Sequence, residues 1–216
     1  MSRATRVLLE TAPKKVFVSA LDWPGLARGR KTEEEAIEAL LAAAHRYARV
    51  ARAAGERFDP TAVDIDIVER VDGDASTAFG IPAMIARADR EPVDAREARR
   101  LAALVEAAWG ELDGVAAKAP EELRKGPRGG GRSRSKVVEH VNESDAGYAR
   151  VLGLKHTAES RDEVQAMRAA VLEVLRQASD GTPVAGRKWP QRYAARRIAW
   201  HALDHAWEIE DRTERA

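Results

Sequence analysis

The stretch HALDHAWEIEDR places His201 and His205 four residues apart, with Asp204, Trp207 and Glu208 among them and Trp200 just before. An i, i+4 pair presents two imidazoles to one point beside a helix, the geometry that helical metal sites use. Two hydrogen-bonded core histidines would show the same spacing, so the pair alone leaves both readings open. The chain has five histidines and no cysteine. Disulfides, a thiolate nucleophile and a Cys-based zinc site are therefore excluded, and a metal would have to be held by His, Asp and Glu. His140, in VVEHVNES, is the third candidate, at the margin of its helix's apolar stripe. If its helix touches that of the pair, His140, His201 and His205 form a three-nitrogen site with open positions. Such a donor set suits Zn, Ni or Fe(II).

Two carboxylates are candidate catalytic groups. Glu208 falls on the histidine side of its helix, and Glu143 lies one turn after His140. Each can be a fourth ligand, an acceptor for an imidazole N–H, or a proton acceptor. Asp204 is further round, near Arg197, and reads as half of a structural ion pair. Tyr148 reads as a packing residue. The basic run KGPRGGGRSRSK has the Gly126 to Gly131 spacing of a phosphate-binding loop, but Arg132 stands where such a loop needs lysine, and a helix end precedes it instead of a strand. The plain reading is a flexible, solvated loop; in the functional reading Arg128, Arg132 and Arg134, which precede the helix of His140, steer an anionic substrate, or a thiol cofactor's carboxylate, toward the histidines.

These residues need helices to position them. DAREARRLAALVEAAWGELDGVAAKA, SKVVEHVNESDAGYARVLG, SRDEVQAMRAAVLEVLRQA and QRYAARRIAWHALDHAWEIED each repeat apolar residues at helical spacing. Asp94 with Glu97 and Ser160 with Glu163 mark starts, as does Pro190. Four such helices with modest loops predict an antiparallel four-helix bundle over residues 92–216. On the last helix His201 and His205 lie roughly 20–60° from Ile198, facing the bundle interior, while Trp200 and Trp207 point the opposite way. Tryptophans on that face need a cover, either the N-terminal part or a second copy of the chain.

Residues 1–72 read differently. RVLLE and VFVSAL are β-prone runs joined by TAPKK. A helix follows from Thr32, with Glu35 completing a capping box, and AVDIDIV alternates like a half-buried strand. The unit is β-β-α-β, separated from the bundle by a Gly, Asp and Pro-rich linker over 73–91, so the overall class is α+β.

The 216 residues carry 36 basic and 35 acidic side chains for a net charge of +1. That balance argues against a surface made for nucleic acid. With no apolar run of membrane-spanning length and no signal-like N-terminal stretch, the expected location is cytoplasmic. No nucleophile elbow accompanies a Ser-His-Asp order, so serine hydrolysis is disfavoured.

EHVNESDAGYARVLG and WPQRYAARRIAWHALDHAWEIEDR, with all three histidines in order, resemble the DinB-like superfamily and the metal-binding domain of mycothiol-dependent maleylpyruvate isomerases. The likeness covers about residues 92–212. It implies a metal on His140, His201 and His205, and a thiol-dependent transferase or isomerase in which the metal activates the thiol of a low-molecular-weight cofactor. VFVSALDWPGLARGRKTEEEAIEALLAAAHRY resembles HicB-like antitoxin domains over about residues 5–70, which implies docking to a partner protein. Metal-dependent hydrolysis, a non-enzymatic metal-binding or stress role, and an antitoxin-like interaction module are the alternatives. A small-molecule substrate or thiol is the expected partner, and a homodimer would cover the tryptophans.

Overall fold

The structure is a computed structural model in which residues 4–125 and 131–213 are described. Strands β1 (Thr5–Ala12), β2 (Lys15–Ala20), β3 (Ala27–Arg30) and β4 (Ile65–Asp72) form one sheet in the order β3-β2-β1-β4. The first three are antiparallel neighbours, and β4 returns parallel to β1 after helix α1 (Glu33–Ala53), the crossover that a parallel pair requires. The unit is therefore β-β-β-α-β, one strand more than expected. The added strand is ARGR, between VFVSAL and the helix that starts after Thr32. It lacks apolar alternation because it is an edge strand: Ala27 is its buried residue, and Gly29 leaves room for the Phe17 ring, which a Cβ there would meet at 2.6 Å.

Alternation sorts the sheet's two faces. Val7, Leu9, Val16 and Val18 pack with Leu40 and Tyr47 of α1 and continue into the core of the following helices. On the other face Phe17 and Ala27 meet Trp200, and Leu8 and Leu21 meet Ala86 and Ala88. Residues 73–91, expected as a linker, are fastened on both sides. They contain the short helix α2 (Ala75–Phe79), capped by Asp74, and a 3-10 turn over Arg87–Arg90. Buried Glu10 of β1 accepts from the backbone N–H groups of Ala83 and Met84 at 3.2 and 2.5 Å. Buried Asp89 accepts from Arg196 at 2.9 and 2.5 Å.

Four longer helices complete the chain: α3 (Ala95–Lys118), α4 (Arg134–Val151), α5 (Arg161–Leu175) and α6 (Gln191–Arg212). Asp94 and Ser160 cap α3 and α5 by accepting a backbone N–H three residues on, as the sequence signals require, and Ser133 caps α4 in the same way. Helix α6 packs against α3 and α4, and α5 closes against the same two. The cover over the tryptophans is the N-terminal sheet. Trp200 is 5% exposed and meets Phe17 edge-on at 6.2 Å; Trp207 is 2% exposed, with the Arg28 guanidinium 4.1 Å from its ring centroid.

Gly25, in the β2–β3 turn at φ +94°, is where the sheet comes closest to α6. A Cβ there would lie 2.7 Å from the Leu203 side chain and 3.2 Å from the Ala199 backbone. Gly25→Ala should lower stability by about 1–3 kcal/mol, from a strained φ and an overlap with a helix that cannot retreat. Chemical denaturation checks this, and an unchanged midpoint would mean that the contact yields.

Asp145 of α4 is buried, and its Oδ2 accepts from Trp109 Nε1 at 2.8 Å. Burial, only partly opposed by Arg168, pushes its pKa up to about 7. The unfolded value is near 4, so between about pH 4 and 7 the folded state binds the proton more tightly and stability falls as pH rises. Asp145→Asn keeps an acceptor for Trp109 and should flatten this slope by about 1–3 kcal/mol across the window. Urea titrations at several pH values measure it, and identical slopes would contradict it.

Candidate metal centre

Helix α6 brings His201 and His205 to one face, and α4 lies against that face. The three candidate histidines converge, with one ligand atom from each of His140, His201 and His205 lying within 4.8 Å of the others. Ring centroids are 5.1 Å apart for His140 and His201, 5.0 Å for His140 and His205, and 4.7 Å for His201 and His205. His201 is 6% exposed; His140 and His205 are half-buried and border solvent. A cation about 2.0–2.1 Å from each nitrogen would draw the ligand atoms closer than this, a matter of small side-chain rotations.

The electrostatics keep lone pairs free. Burial, followed by the charges of His205 and Arg197, pushes the His201 pKa down to about 2, so this imidazole is neutral at any physiological pH. Burial first and Arg132 second also hold His140 below the ordinary histidine value. Buried His201 Nδ1 has no hydrogen-bond partner, an arrangement that is costly unless the ring serves a ligand. Three convergent imidazoles, one carrying an orphaned buried atom, are a donor set that can hold Zn, Ni or Fe(II).

Glu208 completes the surroundings. Its Oε2 lies 2.8 Å from His205 Nδ1, and its Oε1 accepts from Arg212 at 2.8 Å. The bond to His205, reinforced by Arg212, holds the Glu208 carboxyl below its usual range. Of its three expected roles, the geometry realises the imidazole acceptor, which fixes His205 Nδ1 as the protonated nitrogen and leaves Nε2 for a cation. Among the described residues no carboxylate joins the three histidines as a fourth ligand. Glu143 stands apart. It lines an open groove of about 1010 Å³ between α4 and α5 with Asn142 and Arg168, and neither hydrogen-bonds nor pairs with the histidines. That groove is solvated and charged and contains none of the three histidines.

The basic loop divides. Arg134 is spent on structure: it pairs with Glu121 at 2.8 Å and donates to the carbonyls of Ala116 and Ala119, tying α4 to the end of α3. Arg132 is exposed, its carbonyl accepts from Arg212, and its charge reaches His140 and His201. Arg128 lies outside the described residues. Asp204 pairs with Arg28 of β3 at 3.5 Å and not with Arg197, because α6 turns that acid toward the sheet. Tyr148 packs as expected, its ring 5.2 Å from Trp189 and 5.7 Å from His201. Arg197, whose charge helps keep His201 neutral, was missed as a supporting residue, although it lies four residues before His201 on the same stripe.

No family model, curated protein or solved structure matches the chain. No helix of the described residues is long and apolar enough to cross a membrane.

Removing the carboxylate behind His205 tests the arrangement. Glu208→Ala should weaken zinc affinity by about 10–100-fold, measured by competition with a chromogenic chelator. Unchanged affinity would show that this carboxylate does not orient the ligand.

Proposed function

We propose that the chain is a divalent-metal protein of the DinB-like kind, with the metal on His140, His201 and His205, acting as a thiol-dependent transferase or isomerase or as a metal-dependent hydrolase. The observation that carries the reading is the convergence of three ligand atoms within 4.8 Å, from two helices that the rest of the chain clamps together. When bound, a cation with an open position would lower the pKa of a thiol or water beside it toward neutrality and so supply a nucleophile.

The chain's own residues do the remaining work. His201 is kept neutral by burial, Glu208 holds His205 in one tautomer, and Arg212 keeps Glu208 ionised and in place. The half-buried edges of His140 and His205 leave the side by which a substrate or thiol enters. Arg132, near enough to bias both His140 and His201, raises the local concentration of an anionic ligand.

An open position separates this enzymatic reading from a closed structural site, and the placement of Glu208 behind His205 supports the open form. The HicB-like implication of a docking module receives less support, since both faces of the N-terminal sheet are packed against the chain's own helices and the 81–90 segment.

The test is metal content by elemental mass spectrometry on tag-free protein, beside a His201→Ala/His205→Ala variant. Near-stoichiometric metal in the first and none in the second, with unchanged circular dichroism, is the expected result. Absence of metal from both after incubation with Zn, Ni and Fe(II) would overturn the proposal.

A further inference from the structure

Glu10 is an acid where β1 packs against the protein. Its cross-strand neighbours on β2 and β4 are Phe17 and Val71, and it is fully buried. A carboxylate in such a place is ordinarily paired with a cation. Among the described residues Glu10 forms no salt bridge, because the guanidinium nearest in charge, Arg196, is committed to Asp89 at 2.9 and 2.5 Å. Glu10 accepts instead from two backbone N–H groups: Ala83 donates to Oε2 at 3.2 Å and Met84 to Oε1 at 2.5 Å.

Those two amides belong to a strap, residues 81–87, that crosses the outer face of the sheet between α2 and the 3-10 turn. Among the described residues, no backbone-to-backbone hydrogen bond involves residues 82–85. Side chains hold the strap instead. Besides Glu10, Tyr193 donates to the Ala83 carbonyl at 2.9 Å and Arg196 to the Met84 carbonyl at 3.5 Å. Further on, Asp89 accepts from the Ala86 N–H and Glu69 from the Arg87 N–H, both at 2.8 Å. Leu8 and Leu21 of the sheet side pack with Ala86 and Met84, and Ile81 packs with Phe17 and Trp200. The Glu10 carboxyl therefore fastens a segment that has no ladder of its own, and water reaches that carboxyl only when the segment lifts.

We propose that the Glu10 carboxyl is a pH-sensitive latch, which holds the strap on the sheet while it is protonated and releases it on ionising. The charged and titratable groups that face it are Arg196 and Tyr193 of α6 and Asp74 at the start of α2, with Asp89 of the 3-10 turn engaged by Arg196. Burial, only partly opposed by the Met84 amide, Arg196 and the Ala83 amide, pushes the Glu10 pKa up to about 7. With the strap lifted the carboxyl is hydrated and titrates near its ordinary value of about 4. The closed form thus binds the proton more tightly, so closure is favoured at low pH and lost as pH rises through about 7. A protonated carboxyl keeps an acceptor oxygen for the strap amides and puts no charge in the interior. Release uncovers Leu8 and Leu21, and the latch uses none of the three histidines.

The experiment is amide hydrogen exchange of the full chain by NMR between about pH 5 and 8, each rate divided by that of an unstructured chain at the same pH. Protection of the Ala83 and Met84 amides should fall about 10–100-fold across this range. The fall should be steeper than at Leu101 and Leu104, core residues of α3 that exchange only on global unfolding. Glu10→Gln keeps an acceptor oxygen and removes the titration, so the strap amides should then follow the slope of the α3 amides. If that variant does not fold, the carboxyl carbon shift of Glu10 in the unaltered protein carries the test, with a midpoint near 7 expected. Strap amides that follow Leu101 and Leu104 in the unaltered protein would overturn the latch. So would an unchanged slope in Glu10→Gln, or a Glu10 midpoint at the ordinary value of about 4.

Discussion

The structure depends on one constraint: α6 is buried on nearly every side, so each polar group it carries must find a partner inside the protein. The sheet covers Trp200, the β2–β3 turn meets Ala199 and Leu203, and α3 and α4 pack along the rest of the helix. The chain satisfies most of the resulting demands. Gln191 donates to the carbonyls of Leu175 and Gln177, Arg192 reaches Glu97, Arg196 reaches Asp89, and Arg212 reaches Glu208. The segment 73–91 exists in its packed form largely because Asp89 has to meet Arg196 and because Tyr193 donates to the Ala83 carbonyl.

Where that accounting fails, function is the natural explanation. Eight buried side-chain atoms of the described residues lack a partner. One of them, His201 Nδ1, sits where the three imidazoles converge. An imidazole nitrogen left unpaired there costs stability. Strain of this kind gathers where a ligand is meant to complete the bonding.

Much of this was readable from residue spacing. The 100° rotation per residue puts His201, His205 and Glu208 on one stripe, and the N-cap signals at Asp94 and Ser160 fix where helices begin. The β4 strand announced itself by alternation. Other features were hidden for physical reasons. β3 reads as ARGR because an edge strand under one phenylalanine needs no apolar pattern. The partner of Asp204 could not be found from the helix alone, since helical rotation tells which residues share a face but not what element lies opposite. That gap assigned Asp204 to Arg197, whereas its partner is Arg28 of the edge strand.

The most direct test of the metal centre is crystallographic: anomalous diffraction from zinc-loaded protein, collected above and below the zinc edge. An anomalous peak bonded to His140, His201 and His205, with Glu208 remaining on His205 Nδ1 and a position open to solvent, is the expected result. A peak coordinated elsewhere, or one closed by Glu208 as a fourth ligand, would contradict an open three-histidine centre.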